Sequence, residues 1–189
     1  MFGELKDKKQ MSSNANYSNC YFHHCTAKDI QEVRAIGIKT FSESYGHLNT
    51  REDMRSYFSK AFSYERIKTE LENKKSSFYL LKRGKDVLGY IKINFGVSQT
   101  GRNKKNCLEL ERMYLLKKHQ GEGLGKLLLK KTMEIAVEGK MNCIWLGVWS
   151  KNPDAIRFYE KNGFAKDGTR IFILGKDRQI DYIMRKELA

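Results

Sequence analysis

The chain has 189 residues, with 36 Lys and Arg against 22 Asp and Glu, a formal net charge of +14, and 40% hydrophobic residues. That length and apolar content suit one domain with a substantial core, and no apolar run reaches the roughly 20 residues that a membrane-spanning helix needs. The positive excess attracts polyanions, whether nucleic acid, an anionic membrane or a phosphorylated cofactor, without choosing among them.

Residues 1–17 are polar and aperiodic around Ser12-Ser13-Asn14-Ala15-Asn16 and read as a flexible tail, leaving 18–189 as the domain. Met1 to Lys6 lacks the apolar core of a secretory signal, so a cytoplasmic location is expected. Tyr21 to Cys25 reads as a first strand. Thr26 and Asp29 form a capping-box start for a helix that carries Ile30, Val33 and Ile36 to about Ser44. After a break at Tyr45-Gly46-His47, Thr50 and Asp53 open a second helical region with Met54, Tyr57, Phe58, Ala61 and Phe62 on one face. It resumes over 64–73. Ser77 to Arg83 and Val87 to Phe95 read as a hairpin around Gly84-Lys85-Asp86. Residues 97–106 read as a mobile polar loop.

The four cysteines (Cys20, Cys25, Cys107, Cys143) form no C-x-x-C pair, and with no export signal they are expected as reduced thiols. Strand alternation separates Cys20 and His24 from His23 and Cys25, so no metal site is expected there.

The run from Leu108 to Lys126 organises the rest. It begins as an alternating strand, with Leu108, Leu110 and Arg112 expected on one face and Glu109, Glu111 and Met113 on the other. It turns through Gly121, Gly123 and Gly125 and opens a helix carrying Leu124, Leu127, Leu128 and Ile135. A strand passing through a glycine turn into a helix N-terminus is an anion site, because free N–H groups and the helix dipole point at the ligand. Leu127 after Gly125-Lys126 rules out a Walker-type loop, and G-x-G-x-G is not the dinucleotide fingerprint.

Cys143 to Val148 is apolar on both faces, as a covered strand should be. Asn152-Pro153-Asp154 then starts a helix that stops at Asn162-Gly163. Residues 164–172 and 179–187 read as a closing antiparallel pair. The order implies a mixed α/β sheet with helices on both faces.

Gln120, Gly123 and Gly125 match Q-x-x-G-x-G, which resembles the acetyl-CoA pyrophosphate loop of the GNAT acetyltransferases. The helix from Asn152 to Phe164 resembles that family's N-x-x-A-x-x-F-Y-x-x-x-G-F signature. Similarity runs from about Ile30 to Leu188 and is nearest to the PaiA-like bacterial polyamine N-acetyltransferases, through Leu108 to Tyr114, Ile144 to Trp149 and Asp181 to Met184. The resemblance implies the GNAT fold, a mostly antiparallel sheet splayed between its fourth and fifth strands, with acetyl-CoA as cosubstrate. It places Met113, Tyr114 and Leu115 on pantetheine. Gln120, Gly121, Glu122, Gly123, Leu124, Gly125 and Lys126 go to the pyrophosphate, and Asn152, Phe158 and Lys161 to the cofactor from the second helix. A homodimer is implied at the same level.

Chemically, acetyl transfer needs a proton for the departing thiolate and a neutral amine. Tyr159 is the candidate general acid, since a phenol stays a donor near neutral pH. An alkylammonium has a pKa of about 10.4, so Glu111, and next Glu109, are candidate bases or cation contacts. Asp181 and Glu43 are further candidate cation contacts. The acceptor expected is a polyamine such as spermidine or spermine, which requires an acidic cleft around Glu109 and Glu111. The alternatives are a protein or peptide amine and, in a different class, a nucleic-acid-binding regulator. Against the last, no helix-turn-helix, zinc finger or RNA-binding aromatic signature is present, and only weak salt-sensitive binding to nucleic acid is expected.

Overall fold

The computed structural model describes residues 19–101 and 105–188. The expected tail and part of the polar loop lie outside the described residues. β1 (Cys20–His24) leads through a 3-10 turn, capped reciprocally by Thr26 and Asp29, into α1 (Ile30–Tyr45). α2 (Arg51–Ala61) and α3 (Tyr64–Glu72) follow, capped by the side chains of Thr50 and Ser63. The second helical region is therefore two helices. β2 (Ser76–Arg83) and β3 (Asp86–Phe95) form the hairpin. β4 (Cys107–Leu115), α4 (Leu124–Glu138), β5 (Cys143–Trp149), α5 (Pro153–Lys161), β6 (Ala165–Leu174) and β7 (Asp177–Glu187) complete the chain.

These strands form one sheet in the order β1-β2-β3-β4-β5-β7-β6. All neighbours are antiparallel except β4 and β5, which run parallel through Cys107–Cys143, Leu108–Ile144 and Glu109–Trp145 only. Beyond Glu109 and Trp145 the two strands part. The mixed splayed sheet expected from the sequence is thus present.

Alternation along the strands divides the core. Leu108, Leu110, Ile144, Leu146 and Met184 pack with Leu128 of α4 and Ile156 of α5. Phe78, Leu80 and Tyr90 pack with Val33 of α1, Phe62 after α2 and Ile67 of α3. Each large aliphatic side chain removed from water in this way contributes about 1.5–3 kcal/mol.

Two expectations are corrected here. The alternation of β4 fails after Leu110, because a bulge sets Lys92 opposite Arg112 and Ile93 opposite Leu110, leaving Glu111 as an extra residue. Glu111 and Arg112 therefore share the face covered by α1, α2 and α3. Met113 and Leu115 pack against the opposite core, beside Leu110. Second, Cys107 and Cys143 are not free thiols: these register partners are joined as a disulfide across the first rung of the β4–β5 pairing. The parallel pairing of β4 with β5 brings these two together, which no local spacing could reveal. Cys20 and Cys25 are free.

The polar loop is also more ordered than its composition implied, at least at Gln99 and Thr100. Gln99 accepts from the Trp145 indole at 2.6 Å and donates to the Cys107 carbonyl at 3.1 Å. The Thr100 backbone N–H donates to Glu109 at 2.7 Å. The buried polar groups of β4 and β5 supply the anchors that composition does not show.

Candidate active site

Where β4 and β5 part, a cavity of about 670 Å³ opens, lined on the two strand edges by Met113, Tyr114, Leu115, Gly147, Val148 and Trp149. These edges face each other without strand pairing, so their backbone groups are free to receive an extended ligand. The cavity continues to Gln120, Gly121 and Gly125 at the start of α4, and to Asn152, Phe158 and Tyr159 on α5.

The turn into α4 needs its glycines. Gly121 and Gly123 both have φ of 83°, the left-handed region that side chains disfavour, and no side chain caps α4. The first N–H groups of the helix are therefore not covered by a capping side chain. The side chain of Glu122 is engaged elsewhere. Its carboxylate meets His119 Nδ1 at 2.9 Å and Arg83 at 3.1 Å, which braces the turn from behind. Glu43 likewise accepts the Lys117 N–H at 2.7 Å, so it positions the same turn instead of facing an acceptor amine.

On the other side of the sheet, the bulge gathers buried charge. Lys92, only 2% exposed, sits 2.6 Å from Glu111 and 2.8 Å from Glu70. Arg112 Nε lies 3.4 Å from Glu111, with its guanidinium stacked 4.7 Å from the Phe62 ring. Burial alone would raise the Glu111 carboxyl, but Lys92 and Arg112 outweigh it and hold it at about 2. Glu109 is fully enclosed, accepts from Asn94 at 2.9 Å and from Thr100, and does not reach the cavity. Burial raises its carboxyl, and the bonds from Asn94 and Thr100 oppose this.

Arg170 of β6 reaches over β5 to a second group. It meets Asp181 at 3.3 Å, the Thr100 hydroxyl at 3.0 Å and Glu109 at 3.7 Å. Gly147 makes this possible, since a Cβ there would collide with the guanidinium. The acidic cleft expected around Glu109 and Glu111 is therefore corrected: both carboxylates are matched by Lys92, Arg112 and Arg170, and the cavity wall carries both signs.

Tyr159 is buried at the splay beside Phe158 and Phe164. Burial raises its phenol well above the ordinary value, and Tyr45 nearby adds to this, so it is a neutral donor at physiological pH. Asn152 lines the cavity and also caps α5, accepting the Ala155 N–H at 3.1 Å. Of the residues expected at the site, Met113, Tyr114, Leu115, Gln120, Gly121, Gly125, Asn152, Phe158, Tyr159 and Glu111 line the cavity. Glu109, Glu122, Gly123, Leu124, Lys126 and Lys161 do not. The Leu124 side chain is fully buried in the core, while its backbone begins α4.

Sequence reasoning missed most of the far wall. Tyr45, Tyr57, Phe172 and Arg170 come from α1, α2 and β6, distant in the chain. Tyr45 reads in the sequence as part of a helix break, and the aromatics of α2 read as a core stripe with one or two of them walling the acceptor site: Tyr57 is both, stacking on Phe41 at 4.5 Å while lining the cavity.

A parted parallel strand pair, a glycine turn into a helix and a neutral phenol at the gap suit a ligand with backbone-like amides, an anionic group and an atom that takes up a proton. Residues 39–164 match the model of the Acetyltransferase (GNAT) family, and the chain belongs to that family. It is 37% identical over 162 residues, covering 86% of this chain and 94% of the relative, to an uncharacterized N-acetyltransferase of Lactobacillus delbrueckii subsp. lactis. A spermine/spermidine N(1)-acetyltransferase of Bacillus subtilis is 31% identical over 84 residues, 44% of this chain and 55% of that one. Among solved structures, the PaiA N-acetyltransferase of Thermoplasma acidophilum, determined in complex with coenzyme A, matches with a TM-score of 0.73. It does so at 20% identity over 89% of this chain and 99% of that one, a likeness of fold. The chain is thus an N-acetyltransferase with acetyl-CoA as its donor. Among the described residues, no helix is long and apolar enough to cross a membrane.

Proposed function

We propose that this enzyme acetylates a primary amine of a small acceptor held against the α1–α2 wall of the cavity, and that the acceptor is a polyamine such as spermidine or spermine. The observation that carries the reading is the meeting of the β4–β5 gap, Tyr159 and an aromatic, charge-lined chamber in one cavity. The partial likeness to a spermine/spermidine acetyltransferase supports the polyamine class. Aromatic walls from Tyr45, Tyr57 and Trp149 suit an alkylammonium chain, through apolar contact and cation–π attraction.

In this reading the free edges of Met113 to Leu115 and Gly147 to Trp149 hold the pantetheine amides, and the N–H groups of the Gln120–Gly125 turn hold the phosphates. Acetyl-CoA supplies an activated acetyl group. Tyr159 gives its hydroxyl proton to the leaving sulfur. Glu111, held ionised by Lys92 and Arg112, serves as a fixed anion toward the acceptor and is too weakly basic to take its proton.

Arg112 and Arg170 in the wall favour a second reading, an acceptor that carries a carboxylate beside its amine, such as an amino acid or a short peptide. Release of CoA from acetyl-CoA, followed with a thiol reagent against spermidine, spermine, lysine and a short peptide, separates the two. Release with spermidine or spermine supports the polyamine. Release with lysine or peptide alone refutes it and supports the second reading.

A further inference from the structure

We propose that Asp181 of β7 is the group that takes the proton from the acceptor's ammonium, with Arg170 as the residue that positions it. This rests on the acetyl-transfer reading, but not on which amine is the acceptor.

The carboxylates in and around the cavity differ in what already holds them. Glu109 is sealed in. Glu111 has both oxygens engaged, one with Arg112 at 3.4 Å and the other with Lys92 and Asn94, each at 2.6 Å. Asp154, on the first turn of α5, is solvent-exposed and paired with Arg157. Asp181 lines the cavity, is only 6% exposed, and meets Arg170 through Oδ2 alone. Among the described residues, nothing donates to its Oδ1.

Register places Asp181 opposite Trp149, the last residue of β5 along the gap. Asp181, Tyr45 and Tyr159 all line the same cavity. The charged and titratable groups around Asp181 are Arg170 from β6, Tyr45 from α1 and, beyond Arg170, Glu109 from β4. Burial raises the Asp181 carboxyl above the ordinary carboxylate value, and Arg170 offsets part of that. A buried carboxylate with one free oxygen and raised basicity is suited to accept a proton from an ammonium.

The step balances. The acceptor R–NH3+ gives one proton to Asp181 and becomes R–NH2. Its nitrogen pair forms the C–N bond, the C–S bond breaks, and the sulfur leaves with the Tyr159 proton. The nitrogen's second proton returns to the Tyr159 oxygen, and Asp181 releases its own to solvent, so one proton is released per turnover.

The test is the pH dependence of kcat from about pH 4.5 to pH 9 for wild type, Asp181→Asn and Arg170→Gln, with acetyl-CoA binding measured on each by calorimetry. Wild-type kcat is expected to fall on the acid side as Asp181 protonates and to level off above. In Asp181→Asn, kcat is expected to fall by about 10²-fold near pH 7 and to rise about tenfold per pH unit, following the free-amine fraction. Removing the Arg170 cation raises Asp181 further, so Arg170→Gln moves the acid limb to higher pH. If Asp181→Asn keeps the wild-type profile and changes only KM, the proposal is overturned. Should Asp181→Asn lose acetyl-CoA binding through misfolding, the Arg170→Gln limb decides: a shift supports the proposal and an unmoved limb overturns it. Wild type that turns over no amine overturns the acetyl-transfer reading itself, a result distinct from an unchanged profile.

Discussion

Lys92→Met isolates the charge cluster at the β4 bulge. The substitution keeps most of the apolar stem and removes an ammonium that is 2% exposed and lies 2.6 and 2.8 Å from Glu111 and Glu70. Removing one partner of a buried pair strands the other, at a cost of about 3–5 kcal/mol. The Glu111 shift gives a figure of the same size. A carboxyl lowered from 4.5 to about 2 corresponds to about 3 kcal/mol of folding free energy, since each pKa unit is worth about 1.4 kcal/mol. Because the folded pKa is depressed, this contribution is fully present above about 4.5 and is lost as pH falls through about 2. In Lys92→Met the Glu111 carboxyl rises, so the variant regains stability on acidification by protonating it.

Urea unfolding at pH 7.5 and pH 5 therefore should show a deficit of about 3–5 kcal/mol at the higher pH, smaller by about 1 kcal/mol or more at the lower. A deficit under about 1 kcal/mol, or one that does not change with pH, would refute the idea that Lys92 compensates buried carboxylates.

Two further outcomes test the frame of the site. Asn152→Ala removes the α5 cap and should lower stability by about 1 kcal/mol while weakening acetyl-CoA binding, read by thermal unfolding and calorimetry. Cys143→Ser opens the disulfide that closes 36 residues of chain, with an expected loss of about 2–4 kcal/mol in urea. Reductant should mimic the substitution in wild type and have no effect in the variant.

What could be read from the sequence follows how local each signal is. The turn through Gly121 and Gly123 and the α5 start at Asn152-Pro153 depend on neighbouring residues, and their geometry matched. The splay came from the family resemblance, since no residue of β4 or β5 announces where two strands stop pairing. The bulge at Glu111 escaped because alternation assumes an unbroken ladder, and one extra residue turned Arg112 and Met113 to opposite faces from those expected. The far wall escaped for another reason. Arg170 reaches Asp181, Thr100 and Glu109 only because β6, β7 and the loop before β4 converge at Gly147. That convergence is a property of strand order, and periodicity within a segment carries no information about it.

The polyamine reading meets its hardest test in the same cluster. A spermidine-selective site with its carboxylates already matched by three cations must draw its selectivity from Glu111, Asp181 and aromatic contact, with little help from net charge. The overall +14 works against a polycation as it approaches, so turnover of spermidine is expected to rise with added salt as long-range repulsion is screened.

The central claim is that the β4–β5 gap presents a thioester to Tyr159. Pre-steady-state acetyl transfer by Tyr159→Phe, with CoA affinity measured on the same sample, tests it most directly. A rate about 10²-fold below wild type with CoA affinity unchanged is the result predicted. Transfer at the wild-type rate by a variant that binds CoA normally would contradict it.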